Sequence, residues 1–118
     1  MLRIVIAFLA LLIAFPAVAD DKADLSASRI APGCEKLIQT NGTGVSADDA
    51  YAIGRCVGML IVLHDMGPAL HVFCTPKPTS INQLAKVVMK FIDAYPERLH
   101  ETFDVLAFEG LAASFPCK

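Results

Sequence analysis

The residues of this chain best suited to chemistry are four cysteines and three histidines. A cysteine nucleophile needs a free thiol, whereas four cysteines in a small exported chain are typical of two disulfides. Four cysteines permit three pairings, and their number alone does not choose among them. The choice depends on the helices that carry Cys34, Cys56, Cys74 and Cys117.

The histidines do not form a recognisable ligand set. His64 and His71 flank a segment without a carboxylate at the spacing of zinc ligands, and His100 stands alone. Ser46 and Ser80 occupy helix-capping positions, and the chain has no glycine-rich phosphate loop. The sequence therefore predicts no metal site, no cofactor and no catalytic residue, and an enzyme is the interpretation it favours least.

The N-terminus predicts export. Arg3 is followed by an apolar run from Ile4 to Phe15 and then by Ala17-Val18-Ala19. A basic start, a short apolar run and an A-x-A end are typical of a cleaved signal peptide, here residues 1–19. The alternative, an uncleaved membrane anchor, is disfavoured because the apolar run is short for a span.

Residues 20–118 are expected to form a single domain. The whole chain is 55% hydrophobic with a formal charge of −2. Without the first 19 residues the hydrophobic fraction falls to about 48%, which is ordinary for a soluble domain, and loss of Arg3 makes the charge −3. Because the chain lacks a basic run, nucleic acid and anionic membranes are poor candidate partners.

The periodicity predicts an all-α fold with four main helices and no strand of useful length. An arm from Asp20 to Ser28 is expected to be mobile. The helices are expected over Ile30–Thr40, Ala47–Asp65, Ile81–Tyr95 and from about Leu99 to Phe115. Ser46 and Ser80 begin capping boxes, Asn41-Gly42-Thr43-Gly44 and Pro96 end helices, and Gly67-Pro68 is expected to break the second helix.

Three packing expectations follow from the same patterns. The segment from Val57 to Leu63 is apolar nearly all round, which predicts a buried central helix. Gly54-x-x-x-Gly58 is interpreted as a site of close helix packing. Phe91 is expected to be buried between the third and fourth helices. Phe91→Ala would then lower the unfolding free energy by roughly 3–5 kcal/mol.

The helix pattern also chooses the disulfides. The turn after the first helix folds it against the second and brings Cys34 toward Cys56. The turn near Pro96 brings the start of the third helix toward the end of the fourth, which sets Cys74 beside Cys117. The predicted pairs are therefore Cys34–Cys56 and Cys74–Cys117. Each disulfide is expected to stabilise the fold by roughly 3–4 kcal/mol, because it reduces the entropy of the unfolded chain.

Several short motifs together resemble the Rap/Tai-type immunity proteins of type VI secretion systems. The resemblance covers about Cys34 to Cys117 and rests on residues that are mainly structural. The motifs are Tyr51-x-x-Gly54-x-x-x-Gly58, Phe73-Cys74-x-Pro76, Val87-Val88, Tyr95-Pro96-Glu97 and Phe115-Pro116-Cys117.

This resemblance implies a small all-α periplasmic protein that binds and blocks a peptidoglycan amidase effector, a papain-like cysteine peptidase. Such a protein needs a rigid surface rather than catalytic groups. The oligomeric state stays open, with a homodimer as one alternative. The main rival interpretation is a small helical periplasmic chaperone or stress-binding protein. It is disfavoured because the chain has only three histidines and because two disulfides would oppose opening into a client-binding state.

The predicted partner contacts lie in a proline-rich segment from His64 to Pro78. They are His64, Asp65, Met66 and His71, chosen because loops carry binding residues more often than helices do. The alternative is that Met66, Leu70 and Phe73 simply cover the core beneath the loop.

Overall fold

The computed structural model describes residues 24–118, which form an all-α domain. Its four α-helices are α1 (Ala27–Thr40), α2 (Ala47–Ala69), α3 (Ile81–Ala94) and α4 (Phe103–Ser114), and a 3₁₀ helix spans Pro96–Arg98. Within that range the only strand-like pairing is an isolated bridge between Ser26 and Thr102. The predicted all-α class with four main helices is confirmed.

Two predicted helix starts have the expected caps. The Ser46 hydroxyl accepts a hydrogen bond from the Asp49 amide, and the Ser80 hydroxyl accepts one from the Gln83 amide, both at 3.1 Å. These bonds satisfy amides that lack a partner inside the helix. Asn41 ends α1 in the left-handed conformation, with φ 52°.

The helices pack as two pairs. α1 lies against α2, α3 lies against α4, and α1 also contacts α3, which joins the pairs into one core. The fully buried large side chains come from all four helices and from the loop before α3; they include Ile30, Leu60, Phe73, Leu84, Ile92, Phe103, Leu106 and Leu111. None of the helices within residues 24–118 is long and apolar enough to cross a membrane.

Both predicted disulfides are confirmed. Cys34–Cys56 joins α1 to α2 with a Cα–Cα distance of 5.2 Å, and both residues are fully buried. Cys74–Cys117 joins the loop before α3 to the residues after α4, with a Cα–Cα distance of 4.8 Å. Each helix pair is therefore closed by one covalent bond.

The predicted mobile arm is wrong for residues 24–28. The Phe103 amide donates to the Leu25 carbonyl and the Ala27 amide donates to the Glu101 carbonyl, both at 2.8 Å, and Ser28 already lies in α1. These backbone bonds hold the segment against the start of α4. Residues 20–23 and the predicted signal peptide, 1–19, lie outside the described residues.

Two helix boundaries also differ from prediction. α2 runs past Gly67-Pro68 to Ala69, because a proline in the last turn removes a single backbone bond while the missing Cβ of Gly67 leaves room for the Phe73 ring. α4 begins at Phe103 rather than near Leu99, because the preceding turn pairs its backbone with the start of α1.

The prediction for Phe91 is half right. Its Cβ packs against Gly110 of α4, and its ring lies 4.9 Å from that of Tyr95. The residue thus lies between α3 and α4 as expected, but it is only half-buried because the groove beside it stays open.

Candidate functional site

The predicted contact residues lie at the C-terminal end of α2 rather than in one loop. His64, Asp65 and Met66 occupy the last turns of that helix, and only His71 follows it. His64 is half-buried, with Nδ1 3.3 Å from the Thr75 hydroxyl. Asp65, Met66 and His71 face solvent, and Met66 is 43% exposed.

These four side chains share a region but not a network. Among the described residues no hydrogen bond or ion pair joins any two of them. His71 adopts φ 54°, in the left-handed region, directly after the end of α2. The arrangement offers side chains to a partner rather than a set of groups that act together.

The segment after α2 is firmly anchored. Phe73 is fully buried, its ring lies against Gly67 and is 6.0 Å from the Phe108 ring. The next residue forms a disulfide to Cys117 and donates its amide to the Phe115 carbonyl at 2.8 Å. The buried Phe73 ring and the disulfide therefore fix the positions of the exposed residues that precede them in the chain.

The alternative that this segment only covers the core holds for one residue of three. Phe73 is buried, as that alternative requires, whereas Met66 and Leu70 are exposed. Leu70 and Val72 flank His71 and are 59% and 41% exposed. We define the end-of-α2 surface as His64, Asp65, Met66, Leu70, His71 and Val72.

A second surface was missed by the sequence reasoning. The predicted buried central helix is wrong, because only one side of α2 faces the core, while Ile61 and Val62 are 46% and 54% exposed. The predicted close packing at Gly54 and Gly58 is also wrong among the described residues, none of which lies within 4 Å of a Cβ built at either position. The close contact falls instead at Gly33 of α1.

This second surface is nearly all apolar. Val62, Met59 and the two glycines line an open groove that Leu25 borders on the other side. Arg55 lies at its edge, donating to the Asp24 carbonyl at 2.6 Å. A helix that is apolar on all sides is usually buried on all sides, so the sequence pattern did not predict an exposed face. We call the surface formed by Gly54, Gly58, Met59 and Val62 the outer face of α2.

Among residues 24–118, Arg98, Glu101 and Glu109 form a dense charge cluster. Arg98 donates to both oxygens of Glu101, at 2.7 and 2.8 Å, and to both oxygens of Glu109, at 2.6 and 2.8 Å. Hydrogen bonding by Arg98 lowers the pKa of each carboxyl below its ordinary value. The cluster ties the turn after α3 to α4.

The described residues contain neither a free thiol nor a cluster of metal-ligating side chains. All four cysteines are in disulfides, so none is a free thiol. Within residues 24–118 no three His, Cys, Asp or Glu side chains gather where they could hold a metal ion. What remains exposed is a rigid helical surface with apolar side chains and isolated polar groups.

These features define a small disulfide-stapled helical protein whose exposed surfaces suit protein binding. Comparison with protein-family models matches residues 25–117 to the Rap1a immunity proteins. The chain therefore belongs to the Rap1a immunity protein family, as its motifs predicted. No match was found among the curated proteins or among the solved structures.

Proposed function

We propose that this protein is a periplasmic immunity protein that binds a cognate peptidoglycan amidase effector and covers its active-site cleft without turning over a substrate. The family match over residues 25–117 carries the proposal. The amidase is the effector class that the resemblance to Rap/Tai-type proteins implies. Two disulfides are consistent with an oxidising compartment such as the periplasm.

The end-of-α2 surface is our candidate for the effector contact. Met66, Leu70 and Val72 supply exposed apolar area, and Asp65 and His71 supply polar groups that can set orientation. The Cys74–Cys117 disulfide and buried Phe73 hold this surface in place. Little ordering is then required on binding, which favours tight association.

The binding experiment uses the purified mature protein and the amidase at an equimolar ratio. We expect complete inhibition and nanomolar or tighter affinity, on the order of −12 kcal/mol, because slow release protects a cell under repeated attack. An amidase that stays fully active would refute the immunity proposal and favour the chaperone alternative.

A matched pair of variants tests the contact surface. Met66→Glu places a charge on the candidate surface, and Val105→Glu places the same charge on α4 at nearly equal exposure, 43% against 42%. We expect Met66→Glu to weaken binding at least tenfold, about 1.4 kcal/mol, and Val105→Glu to have little effect. Equal affinities would refute the surface while leaving immunity intact.

A cellular experiment tests the compartment. A strain that lacks the protein should become sensitive to neighbours armed with the effector. Expression with the signal peptide should restore resistance, and expression without it should not. Resistance restored from the cytoplasm would contradict the periplasmic part of the proposal.

A further inference from the structure

We propose that Asn41 is a site of spontaneous deamidation, which the folded turn between α1 and α2 protects, so that the modification records past opening of this turn. The turn consists of residues 41–46. The inference does not depend on the immunity proposal, because the reaction involves no partner. It rests on the sequence of the turn, its exposure, its backbone conformation and its hydrogen bonds.

The pair Asn41-Gly42 has the composition that favours deamidation. The backbone nitrogen of the residue that follows an asparagine can attack the side-chain amide carbon, and a side chain on that following residue hinders the attack. Glycine has no side chain, so it hinders the attack least. The other asparagine of the chain, Asn82, is followed by Gln83 and is therefore more hindered. Asn41 is accordingly the asparagine expected to react first.

The reaction requires only water as a co-reactant. The Gly42 nitrogen loses its proton and forms a bond to Cγ of Asn41, the bond from Cγ to Nδ2 breaks, and the nitrogen leaves as ammonia. Water then opens the resulting five-membered imide. Cleavage of the new bond gives aspartate, whereas cleavage of the original peptide bond gives isoaspartate. The net change is the loss of ammonia and the gain of one water molecule.

The turn is open to solvent. Asn41, Gly42, Thr43 and Gly44 are all exposed, and the next residue, Val45, is half-buried against the core. Solvent therefore reaches the reacting groups of Asn41 and Gly42. Since burial does not shield them, protection in the folded protein has to come from the conformation of the turn and from its hydrogen bonds.

The backbone of the folded turn prevents ring closure. Asn41 has φ 52° and ψ 25°, the left-handed conformation that ends α1, and its amide donates to the Leu37 carbonyl at 2.8 Å. The imide forms only when Cβ of Asn41 and the Gly42 nitrogen are nearly eclipsed about the Cα–C bond. At the observed ψ these two atoms point in almost opposite directions. The nitrogen cannot reach Cγ until the turn changes conformation.

Hydrogen bonds hold both reacting groups in this arrangement. The Gly42 amide donates to the Thr40 hydroxyl at 3.1 Å, so the attacking nitrogen is engaged. The Asn41 side-chain oxygen accepts from the Asn82 side-chain amide at 2.9 Å, which ties the carboxamide to the first turn of α3. Both contacts stabilise the closed turn, so the reaction proceeds from an open form.

This protection has a predictable size. The deamidation rate in the folded protein equals the rate in an unfolded chain multiplied by the fraction of molecules in which the turn is open. One hydrogen bond changes such an opening equilibrium by about two- to twelvefold. Loss of the contact from Thr40 or from Asn82 should therefore accelerate deamidation of Asn41 by that factor.

Either product weakens the closed turn. Aspartate adds a negative charge at the C-terminal end of α1, where the helix dipole disfavours it. Isoaspartate adds one bond to the backbone within the residue that ends the helix. A modified chain therefore opens more readily than an unmodified one, and the modification remains after the turn has closed again.

Peptide mapping by mass spectrometry, after incubation in mildly alkaline buffer, measures deamidation at Asn41 and Asn82 in the same sample. Asn41 should react at least about tenfold faster in the reduced and alkylated chain in urea than in the folded protein. In the folded protein, Thr40→Val and Asn82→Ala should each accelerate the reaction by about two- to twelvefold. Gln83→Ala, which changes an exposed neighbour, should leave the rate unchanged.

Hydrogen exchange of the buried α3 amides, measured on the same variants, separates opening of the turn from unfolding of the domain. We expect Thr40→Val and Asn82→Ala to accelerate deamidation more than they accelerate this exchange. Equal acceleration of both would assign the effect to global unfolding and overturn the role of the turn. Equal deamidation rates in the folded and unfolded chains, an unmodified Asn41 in the unfolded chain, or variants that react like the wild type would also overturn the proposal.

Discussion

Gly33 and Gly58 provide a direct test of which glycine the fold needs. Both lie inside helices, where replacing glycine by alanine ordinarily gains about 1 kcal/mol. A Cβ at Gly33 would overlap the carbonyl of Ala52 and lie 3.1 Å from the Ile53 amide nitrogen, whereas a Cβ at Gly58 meets no atom of residues 24–118 within 4 Å. The same substitution should therefore have opposite effects at the two positions.

The magnitude at Gly33 comes from the backbone contact. α1 and α2 would have to separate by about 1 Å to remove the overlap, and the buried Cys34–Cys56 disulfide beside it resists that movement. Overpacking of this kind costs up to about 3 kcal/mol, which the gain in helix propensity reduces to a net loss of about 2 kcal/mol. At Gly58 only the gain of about 0.5–1 kcal/mol remains.

Urea denaturation of the oxidised proteins, monitored by circular dichroism, measures both effects. In thermal denaturation of a domain of this size, a loss of 2 kcal/mol should lower Tm by about 8–16 °C. A Gly33→Ala protein as stable as the wild type would refute the close approach of α1 and α2. A destabilised Gly58→Ala monomer would show that the outer face of α2 is covered within the chain.

Three further predictions follow from the core, the charges and the disulfides. Phe91→Ala should lower the unfolding free energy by about 1–3 kcal/mol, less than for a fully buried ring, because part of the side chain is exposed to solvent; a loss above about 4 kcal/mol in urea would contradict this. Arg98 lowers the pKa of two carboxyls, so its contribution is present above their ordinary pKa of 4.5 and is lost as pH falls through the lowered values. Below about pH 4.5, the unfolding free energy should therefore fall less steeply with decreasing pH in Arg98→Gln than in the wild type. Identical slopes would refute this account. A mild reductant should open Cys74–Cys117 before the fully buried disulfide, since its cysteines are only half-buried; peptide mapping that found the reverse order would contradict it.

Local chemistry made the helices and disulfides predictable. The caps at Ser46 and Ser80 depend on a few adjacent residues, so they could be located without knowing what packs around them. The disulfide pairs followed because short connections fold successive helices against each other, which brings Cys34 beside Cys56 and Cys74 beside Cys117. Family membership followed from the same residues, since the motifs combine cysteines, glycines and prolines at structural positions.

Tertiary contacts decided where the sequence reasoning failed. Pro68 looked like a helix breaker, but it falls in the last turn, where Phe73 fills the space beside Gly67 and the helix continues. Consequently Met66, beyond the predicted helix end at Asp65, lies on the helix with His64 and Asp65. A local pattern cannot show this, because the stabilising ring comes from outside the segment.

The sequence by itself determined the fold class, the helix caps, the cysteine pairs and the family, since each depends on local geometry or on short connections. Only the tertiary structure decided which glycine lets helices touch and which apolar side chains stay exposed. Gly33 and Gly58 have similar local settings, and they differ because α1 crosses α2 beside the first and leaves the second open. Likewise Leu60 and Val62 are both apolar, but one faces the core and the other solvent, because the other three described helices cover only one side of α2.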